Sequence, residues 1–196
     1  MTPTIQPQEE SGAEALAGSA RILVAGVGNI FLRDDGFGPE VVRQLAADPL
    51  GMPEGVRVVD YGIRGIHLAY DLLTAVDALI LVDTVPATEA RAGTHEDSSV
   101  PGSIRVMRVR AEDLDGTAAV DPHGMDPASM LEGVRALRGT LPVTFVVGCV
   151  AADTEEGIGL TPAVAAAVAD AMVAVRELVS TDIRAGQASY VPSRQV

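Results

Sequence analysis

Apolar residues run unbroken from position 22 to 27 and stop at Gly28-Asn29, the pattern of a strand buried on both faces that enters a turn. Pro39 stands where helices begin, and Val41, Val42 and Leu45 follow it at helical spacing. Residues 56–59 predict a second strand ending at Asp60, and residues 66–75 a helix. Residues 78–82 form the most strand-like run and stop at Asp83. A long polar insertion, 86–101, carries His95, Glu96 and Asp97 and is expected to be a mobile loop. Beyond it, residues 104–109 alternate apolar residues with Arg, as a half-exposed edge strand does. Asp126-Pro127 opens a helix continued by Leu131, Val134 and Leu137, and residues 143–147 make another buried strand. Thr161-Pro162 is expected to cap a last helix whose apolar stripe is Val164, Val168, Met172, Val175 and Val179.

Strands alternating with helices imply an α/β fold: a three-layer α/β/α sandwich around a mostly parallel twisted sheet. The chain has 196 residues, enough for one domain with a sizeable core. Order is expected to begin at Arg21. Residues 1–20 carry Glu9, Glu10 and Glu14 among small residues, without the basic start and apolar block of a signal peptide, and read as a disordered tail. Residues 181–196 read as a polar tail, which leaves 21–180 as the domain.

Composition narrows the picture. Trp is absent and aromatics are 3%, so the core must be built from Val, Leu, Ile and Ala. All 14 basic residues are Arg, and the net charge of -13 argues against a polyanionic partner, so no nucleic acid is expected. Cys149 is the only cysteine, which excludes an intrachain disulfide. No uncharged apolar stretch reaches the ~20 residues that span a bilayer, so a cytoplasmic protein without a membrane partner is expected.

In sheets of this class, ligands bind just beyond the carboxyl ends of the strands. Asp34 and Asp35 follow the first strand, Asp60 the second and Asp83 the third, while His123 sits in the Asp121-Pro122-His123-Gly124 loop. Two carboxylates with an imidazole suit a borderline divalent metal with open positions, which could polarise a peptide carbonyl or activate water. Plainer readings stand beside these. Asp35, near a helix start, reads first as a cap or dipole partner. His123 fits a surface role as well as ligation. Asp83 is harder to dismiss, because burying an unpaired carboxylate is costly. His67, in a helix, and His95, in the insertion, read as structural or solvated, and Cys149 as a small core residue. Gly26-Val27-Gly28-Asn29 imitates a dinucleotide fingerprint, but Phe31 replaces its third glycine, and Asp60 falls too late for a ribose-binding acid.

Several blocks in fixed order carry a resemblance: residues 22–29, Asp34-Asp35-Gly36-Phe37-Gly38-Pro39, Asp60-Tyr61-Gly62 with Gly65, Val82-Asp83, Pro122-His123-Gly124, Val146-Val147-Gly148 and Gly157-Ile158-Gly159-Leu160-Thr161-Pro162. Together they resemble the hydrogenase maturation proteases, nickel-dependent endopeptidases that remove the C-terminal extension of a NiFe hydrogenase large-subunit precursor. The resemblance spans residues 21–180, which makes that domain a peptidase domain. It implies that Asp35, Asp83 and His123 match the family's three metal-contacting positions. It also implies that the metal is nickel carried by the substrate rather than held by the free enzyme. Asn29, Asp34 and Asp60 would support the site, and the catalytic group stays unassigned among the metal ligands. Tyr61, the 86–101 insertion and both tails do not map onto the pattern.

Two chemistries fit this reading: nickel polarising the scissile carbonyl or delivering hydroxide, or Asp35 and Asp83 sharing a proton as aspartic proteases do. A non-enzymatic nickel-site checkpoint or chaperone is the alternative function. A hydrolase keeping its own ion is a second rival, disfavoured by the lack of an H-E-x-x-H helix. Asp34, Asp35 and Asp83 are expected to crowd one edge and raise one another's pKa.

Overall fold

The computed structural model describes residues 21–74, 76–85, 100–110, 131, 134–135 and 141–183, with 181–183 described by their backbone alone. Five strands form one sheet: β1 (Ile22–Val27), β2 (Val56–Gly62), β3 (Ala78–Val85), β4 (Ile104–Val109) and β5 (Val143–Val150). Their order is β2-β1-β3-β5-β4. Every pairing is parallel except β4 with β5, where Ile104 lies opposite Cys149. The helices are α1 (Phe37–Ala47), α2 (Gly65–Leu72) and α3 (Pro162–Glu177).

The apolar runs become strands because both faces of the sheet are covered. Ile22, Val24, Ile80, Val82, Val147 and Cys149 point to one face, where they pack against α1 and α3. Leu23, Ala25, Leu79 and Leu81 point to the other, against Leu68 and Leu72 of α2 and the buried helical residues Leu131 and Val134. The period of two in side-chain direction thus divides each run between two cores, and the three layers are the expected α/β/α sandwich. On the second face Tyr61 of β2 donates its phenolic hydrogen to Asp71 of α2, and Arg57 donates to the same carboxylate.

The edge strand also behaves as its sequence predicts. Arg108 of β4 lies over the Phe145 ring at 6.0 Å, and charge on such an edge discourages pairing with another chain. Several boundaries move outward. β2 runs on through Asp60 and Tyr61 to Gly62, β3 through Asp83 to Val85, and β5 to Val150. The helix expected over 66–75 is Gly65–Leu72. A π-helical turn, Leu178–Ile183, extends α3 into the stretch read as tail. The 86–99 part of the insertion, the Asp126-Pro127 helix start, and residues 1–20 and 184–196 lie outside the described residues. Among those described, no helix is long and apolar enough to cross a membrane.

The order β2-β1-β3 creates the functional edge. From β1 the chain passes through α1 to β2 on one side, whereas β3 leads on towards β4 and β5 on the other. The connections diverge between β1 and β3, and such a switch point opens a crevice at the carboxyl ends of the two strands.

Candidate functional site

Asp35 follows β1 in a single 3-10 turn, Arg33–Gly36, and Asp83 lies near the carboxyl end of β3. One residue joins them. The backbone N–H of Thr84 donates to Asp83 Oδ1 at 2.7 Å, and its hydroxyl donates to Asp35 Oδ1 at 3.3 Å. Asp35 Oδ2 also accepts the backbone N–H of Asn29 at 2.7 Å. Neither the 3-10 turn nor α1 has a side-chain cap, so Asp35 is not the N-cap that its position suggests. Its carboxylate instead closes the loop from Asn29 and faces β3. Asn29 in turn accepts the N–H of Phe31 on its Oδ1, an Asx turn that shapes the loop.

Two glycines permit this approach. A Cβ on Gly38 would lie 2.3 Å from the carbonyl oxygens of both Val27 and Val82, so α1 sits directly on the ends of β1 and β3. A Cβ on Gly28 would lie 1.9 Å from the Asp35 carbonyl oxygen, and its φ of +129° suits glycine alone.

Asp34 behaves differently from its neighbour. It is fully buried, and its carboxylate accepts the N–H groups of Ala152, Asp153 and Thr161 and the Thr161 hydroxyl. Burial alone would raise its pKa, but these four bonds outweigh that and hold it below the usual carboxylate range. The expected mutual raising through crowding therefore fails for Asp34, which is consumed by donors on the far side of its loop. Thr161 is the N-cap of α3, as expected, but makes no side-chain cap bond; its hydroxyl serves Asp34.

The remaining candidates separate. Asp60 is exposed near the carboxyl end of β2 and lines the neighbouring groove. His123 and His95 lie outside the described residues. Among the described residues no group of three His, Cys, Asp or Glu is placed to hold a metal. His67 is exposed on α2. Cys149 is buried, and burial, aided by the Asp34 charge, pushes its thiol up to about 11, which suits a core residue and not a nucleophile.

Exposed apolar residues stand in the loops that follow β1 and β5. Ile30 and Phe31 in the loop after β1 are 53% and 61% exposed, and Ile158 in the loop after β5 is 84% exposed. A groove of about 550 Å³ shares Ile30 and Gly36 with the Asp35 loop and continues past Ile158 and Leu160 to Val168. Asp60 and Glu40 stand among its lining residues, whereas Asp35 and Asp83 do not.

Sequence reading missed Thr84 and the donors that hold Asp34. A hydroxyl directly after a strand-end aspartate was the available signal for Thr84. Its reach to Asp35, 49 positions away, needs the parallel register of β1 beside β3. Thr84→Val keeps the shape and the N–H bond to Asp83 while removing the hydroxyl. Stability should change by less than about 1 kcal/mol, and turnover should fall several-fold as Asp35 loses one of its two anchors. Steady-state kinetics of the variant beside urea unfolding checks this; unchanged turnover would make the 3.3 Å contact incidental.

Fold and site define a class: an α/β protein with paired carboxylates at the switch point of its sheet, beside an apolar groove. The sequence model described as hydrogenase maturation protease matches residues 39–177, beginning just past Asp35. The chain is 31% identical over 153 residues to the hydrogenase 2 maturation protease of Escherichia coli K12, covering 78% of this chain and 86% of that one. It is 33% identical over 162 residues to the hydrogenase expression/formation protein HupD of Rhodobacter capsulatus, covering 81% and 71%. The solved structure of the hydrogenase maturating endopeptidase HybD from E. coli superposes with a TM-score of 0.62 at 29% identity, over 79% of this chain and 89% of that chain. The chain belongs to the hydrogenase maturation protease family.

Proposed function

We propose that this protein is an endopeptidase that removes the C-terminal extension of a NiFe hydrogenase large-subunit precursor after nickel insertion. The observation that carries the reading is the approach of Asp35 and Asp83 through Thr84 at the crevice between β1 and β3, in a member of this family. Asp35 and Asp83 serve as two oxygen ligands to the nickel that the precursor presents, and His123 as the third ligand. Open positions on the ion then face the scissile segment, so that the metal can polarise its carbonyl or supply hydroxide. The carboxylates are positioned before the substrate arrives, because Asn29 and Thr84 already orient Asp35.

Recognition of substrate-borne nickel makes a simple demand. Two or three ligands at an open edge leave solvent on the ion, so the free protein should bind divalent metal weakly. Purified protein is mixed with nickel-loaded and with nickel-free precursor, and the shortened product is followed by mass. Cleavage is expected only of the loaded form. Equal cutting of both would overturn nickel recognition, and stable binding of the loaded precursor without cleavage would favour a checkpoint or chaperone.

A further inference from the structure

Asp34 is the one fully buried carboxylate in the described residues that the proposed chemistry leaves unused. Its contacts are of one kind. Oδ1 accepts the N–H of Thr161 at 2.6 Å. Oδ2 accepts the N–H of Ala152 at 2.9 Å, the N–H of Asp153 at 3.0 Å and the Thr161 hydroxyl at 3.0 Å. All four donors come from the segment between β5 and α3, more than a hundred positions along the chain. The two loops are laced at further points. Asp34 donates its own N–H to the Asp153 carbonyl at 3.1 Å, Arg33 to that of Gly157 at 3.0 Å, and Gly157 to that of Phe31 at 2.8 Å. The Arg33 side chain pairs with Asp153 at 3.2 Å. Arg33 itself holds a φ of +47°, a conformation that a non-glycine residue keeps only when its surroundings enforce it.

We infer that Asp34 is a positioning residue for the active site: by binding the 152–161 segment it locks the loop after β5 to the loop after β1, and so fixes Asp35 beside Asp83. This rests on the reading of Asp35 and Asp83 given above. The geometry explains why adjacent aspartates do unlike work. In the 3-10 turn successive side chains diverge by about 120°, so that one carboxylate faces β3 while its neighbour faces the β5–α3 segment. Charge suits the place, since Asp34 lies against the N-terminus of α3, where a negative charge is stabilised. The two laced loops also contribute Ile30 and Ile158 to the lining of the groove.

Asp34→Asn tests this, because an amide nitrogen cannot accept the N–H groups that one carboxylate oxygen now holds. Thr161→Val is the milder companion, removing one donor and leaving three backbone donors in place. Native-state amide exchange reads the clamp directly: Asn29 reports the loop through its bond to Asp35, and Leu81, within β3, reports global opening. In Asp34→Asn, exchange at Asn29 should accelerate at least about ten-fold more than at Leu81, with a smaller shift of the same kind in Thr161→Val. On nickel-loaded precursor, kcat of the folded Asp34→Asn protein should fall by about ten-fold or more, as misplaced catalytic groups do. Should Asp34→Asn fail to fold, Thr161→Val carries the same criteria with smaller amplitude. Equal acceleration at Asn29 and Leu81, or an unchanged kcat in a folded variant, would overturn the proposal and leave Asp34 a general stabiliser. If Asn29 loosens selectively while the wild-type protein cuts no precursor, the clamp stands and the functional reading falls.

Discussion

Asp83→Asn is expected to abolish precursor processing, by about a thousand-fold or more, while the protein keeps its fold. The side chain is almost fully buried near the carboxyl end of β3, and its Oδ1 accepts the N–H of Thr84 at 2.7 Å. An asparagine of the same shape retains an oxygen for that bond, so the strand end and Thr84 should stay in place. What disappears is the negative charge. That charge is needed whether Asp83 ligates nickel on the precursor or shares a proton with Asp35, so the substitution tests where the chemistry sits and not which chemistry it is. Losses of about 10²–10³ follow removal of a single transition-state contact, and a ligand that also recognises the substrate should cost at least as much. Stability should move little. A buried carboxylate is costly to desolvate, and a second carboxylate linked through Thr84 adds like-charge repulsion, so neutralising Asp83 should leave the free protein as stable as wild type or about 1 kcal/mol more so. Urea unfolding at pH 7 beside the cleavage assay is the check. A clear loss of stability would mean that structural hydrogen bonds, not substrate nickel, are the reason for the carboxylate.

The parts of this molecule that were legible in its sequence are those where one physical rule acts alone. Residues 22–27 and 78–82 read as buried strands because helices cover both faces of the sheet and no position could be polar. The second strand was read as ending at Asp60 but runs on to Gly62, since β2 is an edge strand and a polar residue is tolerated within it. Asp35 and Asp83 were singled out by a rule about strand ends, and Asp34 was grouped with them because sequence gives adjacency and not direction. Both aspartates sit in one 3-10 turn, and only their tertiary partners, the donors at Ala152, Asp153 and Thr161 for Asp34 and at Asn29 and Thr84 for Asp35, reveal which way each faces. Thr161 does stand at the N-cap of the last helix as its sequence suggests, but the use of its hydroxyl was not legible for a related reason. A threonine before Pro162 satisfies every local criterion for a helix cap, and the tertiary partner that claims its hydroxyl is 127 positions away.

Gly28→Ala should cost about 3 kcal/mol or more, and this would be the largest single-methyl effect among the glycines near the site. Two penalties coincide. The backbone φ of +129° lies where L side chains rarely go, a strain worth about 1–3 kcal/mol. The added methyl would also stand 1.9 Å from the Asp35 carbonyl oxygen, and backbone cannot swing aside as a flexible side chain can; overpacking of this kind costs about 1–3 kcal/mol more. Against a total stability of about 5–15 kcal/mol for a domain, that loss is large but survivable in some hosts. Relief requires the Asn29–Asp35 loop to lift from the end of β1, which would break the bond from Asn29 to Asp35 and move the carboxylate away from Thr84. Processing should therefore be lost even in protein that folds. Gly51 supplies the control. It also has a positive φ, +60°, but nothing lies within 4 Å of the added methyl, so Gly51→Ala should show strain alone, about 1 kcal/mol, with processing intact. Thermal unfolding of both variants, with precursor cleavage measured well below each transition, separates strain from steric contact. If Gly28→Ala proved no less stable than Gly51→Ala and still cut precursor, the close contact between Gly28 and Asp35 could not be what holds the site together.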